Sequence, residues 1–115
     1  MINIHIYRNQ SGMIDAFTLD GHAGFAQKGE DIVCAAVSAL TFGTINAIEH
    51  LLNLPLSIQT KENDGFLHCV VPDLEDKATQ EKVQLLLEAM VLSLQAVEAD
   101  YGDYVQLTVQ SENGN

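Results

Sequence analysis

The chain has 115 residues, the size of one domain and too short for two. Hydrophobic residues make up 47% of it, enough for a core without disulfide staples, while 16 acidic against 5 basic residues leave a formal charge of −11. That charge repels phosphate backbones and anionic lipid, which argues against nucleic-acid and membrane binding. It suits either a basic partner or plain solubility.

Ile2, Ile4 and Ile6 alternate with Asn3, His5 and Tyr7, the period of a half-buried strand. Asn9-Gln10-Ser11-Gly12 reads as a turn, and Met13 to Asp20 as the returning strand of a hairpin. His5 falls on the polar face, where a solvated side chain is expected. The second strand runs into Gly21-His22. Gly24 and Gly29 then bracket a loop of wide backbone freedom. This loop, about residues 24–30, could be a lid or an ordinary connection. Asp31 suits a helix N-cap, its carboxylate accepting from the free amides of the first turn. On that reading Cys34 is the third helical residue, and the helix runs to about Leu52.

This helix is apolar almost all round, from Ile32 through Leu40 and Phe42 to Leu51. A sheet, the other helix and a second subunit are the candidates to cover it. Gly43 hints at close packing. The run from Ile32 to Leu54 approaches bilayer-spanning length. Asn46, Glu49 and His50 interrupt it, and no Lys or Arg flanks it, so a buried helix of a soluble domain is expected.

Asn53-Leu54-Pro55 ends the helix. Leu56 to Thr60 reads as a short strand, Asn63-Asp64-Gly65 as a hairpin turn, and Phe66 to Val71 as the partner strand. Leu67, Cys69 and Val71 share one face, which makes Cys69 a small core residue. His68 shares the opposite face, and a structural role is the better expectation for it. A second helix is predicted from about Lys77 to Asp100, with Val83, Leu86, Leu87, Met90, Leu94 and Val97 on one stripe. Gly102 suits its C-terminal cap. Tyr104 to Val109 is the last strand, and residues 111–115 form a polar tail. The expectation is one α+β domain over residues 1–110, a small mixed or antiparallel sheet with two helices in the order ββαββαβ.

Two cysteines without a signal-peptide pattern lead us to expect reduced thiols in the cytoplasm. There is no Cys-x-x-Cys, and the four histidines are scattered, so neither a metal nor a cofactor is expected. The chemistry concentrates between Gly21 and Ser38. A thiolate is the reactive form of cysteine, and a helix start favours it through free amides and the positive end of the dipole. His22 is the natural base for Cys34, and the eleven residues between them can close the gap. Helix-start amides could hold an oxyanion. Ser38 lies four residues after Cys34, on the same helix face. Glu30 and Asp31 pull the other way, because nearby negative charge opposes a thiolate. A cysteine inside Ile-Val-Cys-Ala-Ala-Val can also be no more than a small core residue.

Gly21-His22-Ala23, followed by Gly29-Glu30-Asp31-Ile32-Val33-Cys34-Ala35-Ala36-Val37-Ser38-Ala39-Leu40, resembles the signature of the ribosomal-processing cysteine proteases, the Prp family. The resemblance extends to chain length and element order. It implies a cysteine endopeptidase that removes an N-terminal extension from ribosomal protein twenty-seven of the large subunit, cutting after phenylalanine. It also implies a catalytic dyad of His22 and Cys34, with Gly21, Asp31 and Ser38 in support, and a homodimer with a mobile loop over the site. The acidic surface suits such a basic substrate, and the over-apolar helix suits a subunit interface. Two other readings stand beside it. One is a non-catalytic acidic module that holds a basic ribosomal tail. The other is a thiol redox protein, disfavoured because no resolving cysteine lies nearby in sequence.

Overall fold

The computed structural model describes residues 1–21, 28–61 and 65–112, with residues 28–31 described by their backbone alone. The elements are β1 (Ile2–Arg8), β2 (Ile14–Asp20), α1 (Lys28–Leu51), β3 (Ser57–Lys61), β4 (Phe66–Val70), α2 (Lys77–Asp100) and β5 (Val105–Ser111). The order is the expected ββαββαβ. The strands form one five-stranded sheet in the order β3-β4-β2-β1-β5. All neighbours are antiparallel except β1 and β5, which run parallel from Ile2 opposite Val105 to Arg8 opposite Ser111. The sheet is therefore mixed. The parallel pair requires the long crossover that α2 supplies between β4 and β5.

The alternation in β1 puts Ile2, Ile4 and Ile6 inside, and the two innermost have no exposed surface. Against them β2 turns in Ile14, Phe17 and Leu19. The three-residue step from Ile14 to Phe17 breaks the period of two. It is explained by a bulge: Tyr7 faces Ala16, but Arg8 faces Ile14, so Asp15 is the extra residue. Leu67 and Cys69 enter the same core from β4, as expected. From the helices come Val33, Val37, Ile45 and Ile48 of α1 and Val83, Leu87, Met90 and Leu94 of α2. The second-helix stripe is thus correct, and its bounds match the expectation.

Polar ties fix the layers. Gln84 of α2 exchanges hydrogen bonds with the backbone of Ile14, accepting at 2.9 Å and donating at 2.8 Å. Glu98 accepts from the Leu107 amide at 2.7 Å. Arg8, at the end of β1, donates through both guanidinium nitrogens to Glu88, at 2.6 and 2.8 Å. On the opposite face of the sheet, Thr18 and His68 Nδ1 are 2.9 Å apart in a hydrogen bond, so His68 has the structural role expected. His5 departs from expectation. It is half-buried rather than solvated, and its Nδ1 is enclosed without a hydrogen-bond partner among the described residues.

Two glycine readings are corrected. Gly43 is not closely packed: a Cβ built there meets nothing within 4 Å. It lies instead on an open groove between α1 and α2, with Ala39, Ala47 and Ser93. The cap of α2 is Tyr101, whose amide donates to the Val97 carbonyl, rather than Gly102. Helix α1 ends as anticipated, with Asn53 in the left-handed region at φ 52° before Pro55. From Ile32 to Leu51 this helix is long and apolar enough to cross a membrane by length and composition. Here it packs through Val33, Val37, Ile45 and Ile48, while Ile32, Phe42 and Leu51 remain 60%, 44% and 72% exposed. Sheet and second helix together leave these three apolar side chains of α1 uncovered.

Candidate active site

Strand β2 ends at Gly21, where the backbone takes φ 102°. A side chain is strained at such a φ, and a Cβ at this position would also run into the Met1 carbonyl oxygen. Glycine is thus required twice over at the residue that leads the chain out of the sheet. His22 comes next and lies outside the described residues, as do residues 24–27 of the loop.

The start of α1 corrects the expected cap. The helix begins at Lys28, so Asp31 is its fourth residue rather than its N-cap, and Cys34 its seventh rather than its third. The physical reason is local. Lys28 and Glu30 are good helix formers, and acidic residues in a first turn are favoured by the helix dipole. Together they carry the helix back through Gly29. Two consequences follow for Cys34. Only the first four amides of a helix are free, here those of residues 28–31, so the Cys34 amide is committed to the helix and is no oxyanion donor. Cys34 also lies roughly 9 Å along the axis from the helix start, beyond the turn in which the dipole acts most strongly. The backbone register places Glu30 and Asp31 four and three residues before Cys34, the spacing of same-face neighbours.

Cys34 is free and half-buried. It lines a cavity of about 440 Å³ at the end of the sheet where β2 stops. One wall is a ridge of α1, with Cys34, Ser38 and Phe42 at four-residue intervals and Val37 beside them. The floor is Ile2, Leu19 and Leu67. The far rim is Thr60 and Lys61 of β3 with Gly65 and Phe66 of β4. Gly21, Cys34 and Ser38, proposed from the sequence, therefore meet at one cavity. Phe42 was overlooked, although its position eight residues after Cys34 puts it on the same ridge. Lys61 and Phe66 carried no local signal, because only the pairing of β3 with β4 and the packing of α1 bring them there.

A second cavity of about 450 Å³ opens at the other end of the sheet, among Ile14, Asp15, Asp73 and Gln84. Among the described residues it is lined by no cysteine, serine or histidine. Volume alone does not choose between the two; the thiol does. The other thiol, Cys69, has no exposed surface. Burial, reinforced by the negative charge of Glu49, pushes it up to about 12. It is a protonated core residue at neutral pH, which makes it a poor resolving thiolate and disfavours a Cys34–Cys69 redox pair.

The family model of the cysteine protease Prp matches residues 1–106. The chain belongs to the Prp family. It is 37% identical over 108 residues to the ribosomal processing cysteine protease Prp of Bacillus subtilis, covering 94% of this chain and 96% of the relative. The fold is that of Prp from Staphylococcus aureus solved with a substrate peptide: TM-score 0.85 at 33% identity, covering 96% of this chain and all of that one. A second structure of Staphylococcus aureus Prp, with a covalently linked product peptide, superposes with TM-score 0.81 at 34% identity over 96% and 100% of the two chains. This chain is accordingly a ribosomal processing cysteine protease of the Prp family.

Proposed function

We propose that Cys34 is the nucleophile and His22 its base, and that the protein removes the N-terminal extension of ribosomal protein twenty-seven of the large subunit, cutting after phenylalanine. The observation that carries this reading is the position of Cys34, the one of the two cysteines that opens onto a cavity, with Gly21, the residue before His22, in the wall. His22 takes the thiol proton, and the thiolate attacks the scissile carbonyl carbon, forming a carbon–sulfur bond and an oxyanion. Collapse of this intermediate breaks the carbon–nitrogen bond, and the imidazolium gives its proton to the departing amine. Water, deprotonated by His22, then attacks the thioester, releasing the carboxylate product and the thiol. Gly21, Asp31 and Ser38 belong to the same signature and are assigned to support the dyad, with Ser38, one turn after Cys34, placed to hydrogen-bond the substrate. The reaction uses neither metal nor cofactor.

The formal charge of −11 suits a basic ribosomal protein and repels nucleic acid and anionic membrane. Two free thiols suit a reducing cytoplasm. The exposed apolar side chains Ile32 and Phe42 of α1 suit a homodimer. The test is to incubate the protein with the extended ribosomal protein and follow its mass. We expect loss of the extension at a phenylalanine, abolished by Cys34→Ala. Retained cleavage in Cys34→Ala, or salt-sensitive binding without any cleavage by the wild type, overturns the reading; the latter outcome is that of an acidic binding module.

A further inference from the structure

The cavity at the other end of the sheet, about 450 Å³, takes no part in the chemistry proposed above. Its walls are tied together. The bulge of β2 brings Asp15 into one of them, and the Asp15 carbonyl accepts from the Val71 amide at 2.9 Å, which joins the start of β2 to the end of β4. Gln84 of α2 closes another side through its paired bonds to the Ile14 backbone. Between these walls lie the apolar groups of Met13, Val70, Pro72 and Leu74, with Val70 39% exposed. Two carboxylates, Asp15 and Asp73, stand on this surface, and neither has a side-chain hydrogen bond or ion pair among the described residues. By contrast, the carboxylates of Glu49, Glu88 and Glu98 are engaged by the Leu56 amide, Arg8 and the Leu107 amide. No basic side chain lines the cavity among the described residues. The charged residues whose side chains lie outside the description, at 28–31 and 62–64, belong to the opposite end, where α1 begins and β3 finishes.

We propose that this groove is an exosite for a lysine- or arginine-bearing segment of the protein substrate, held apart from the bond that is cut. The inference rests on the peptidase reading above and deepens it. Charge complementarity selects the occupant. A long basic side chain matches both halves of the groove, its aliphatic stem on Val70, Pro72 and Leu74 and its charged head at Asp15 and Asp73. A neutral apolar segment would desolvate the two carboxylates without pairing them, and an acidic one would be repelled. Strand β2 sets the span. Leu19 lines the Cys34 cavity and Ile14 the groove. Five strand steps put them roughly 17 Å apart, a distance that an extended substrate covers in about five or six residues. The cationic segment therefore lies at least that far along the substrate from the scissile bond. Tethering it there raises the effective concentration of the bond at the thiol without any new contact at the cut.

The test separates the groove from the general acidic field. A short neutral peptide spanning the cleavage site is compared with the same peptide extended, on each side in turn, by about eight residues, enough to span β2. The extension carries several Lys in one version and Gln at the same places in the other. The proteins are wild type, the double variant Asp15→Asn/Asp73→Asn, and Asp100→Asn/Asp103→Asn, which removes the same charge at the C-terminal end of α2. Circular dichroism checks folding, and Asp73→Lys, at an exposed position, replaces the groove variant if Asp15→Asn unfolds the chain. In the wild type, one Lys extension should exceed its Gln counterpart about threefold to tenfold in kcat/KM, through KM with kcat unchanged, the size of two exposed charge pairs. The groove variant should lose that gain, and the Asp100/Asp103 variant should keep most of it. Cleavage of the short peptide should be the same for all. Fluorescence anisotropy of the labelled Lys-extended peptide on Cys34→Ala reads the same contact without cleavage. Equal cutting of Lys and Gln extensions by the wild type, or an equal loss in both charge variants, overturns the exosite and leaves the peptidase reading standing. Binding that needs Asp15 and Asp73, with no cleavage of any peptide by the wild type, overturns the peptidase reading and keeps the groove.

Discussion

Cys34 stands half-buried on the helical wall of an open cavity, whereas Cys69 lies on β4 with no exposed surface and its thiol pushed up to about 12. Both are cysteines in runs of apolar residues, and composition does not separate them. The difference lies in what the backbone does around each. Cys69 alternates inward on a strand with a sheet neighbour on either side and helices above it. Cys34 sits on α1 where β1 begins and β2 ends, so the packing layer runs out beside it. An accessible thiol is made here by placing it at the edge of a core, and an enclosed one by placing it in the middle.

The comparison breaks most easily by chemical labelling. Under native conditions iodoacetamide should modify Cys34 at least roughly a hundredfold faster than Cys69, read by mass spectrometry of proteolytic fragments. Comparable rates would erase the distinction. The next largest effect is alkaline. The unfolded chain releases the Cys69 proton near 9 and the native protein near 12. Between these values the unfolded state binds fewer protons, so stability falls as pH rises, by as much as about 4 kcal/mol. Urea midpoints followed across that range should decline more steeply for wild type than for Cys69→Ala, and parallel declines would contradict the burial argument.

Cys69→Ser places a hydroxyl where no partner is provided and should lower stability by about 2 kcal/mol, measured by urea denaturation, without moving the cleavage site. The smallest effect lies at the end of β1 away from the cavity. Arg8→Ala removes the paired contact with Glu88, whose side chain is 43% exposed, so the loss is about 0.5–1 kcal/mol after solvent screening. Arg8 holds the Glu88 carboxyl below its ordinary value. The contribution is therefore present above the usual glutamate range and lost as pH falls through the lowered value. Thermal melts of wild type and Arg8→Ala should differ at neutral pH and converge in acid, with peptidase activity at neutral pH nearly equal.

Much of this fold was legible because it is encoded locally. The alternation of Ile2, Ile4 and Ile6 and the stripe from Val83 to Val97 are periodic signals, and both led to the correct buried faces. Cys69 followed from the same reasoning. The start of α1 misled because Asp31 is a good cap in isolation, while Lys28 and Glu30 favour one more turn of helix, and the balance between them is small. Gly43 misled because glycine in a helix reports either close approach or an open groove, and the neighbour decides which. The strand order and the rim formed by Lys61 and Phe66 depend on pairings between distant segments, for which no single stretch carries the information.

The central claim is that Cys34, and not Cys69, is the nucleophile. A peptide of the extension ending in a phenylalanine chloromethyl ketone should form one covalent adduct, mapped to Cys34, lost in Cys34→Ala and kept in Cys69→Ala. An adduct on Cys69, or an adduct that persists in folded Cys34→Ala, would contradict it.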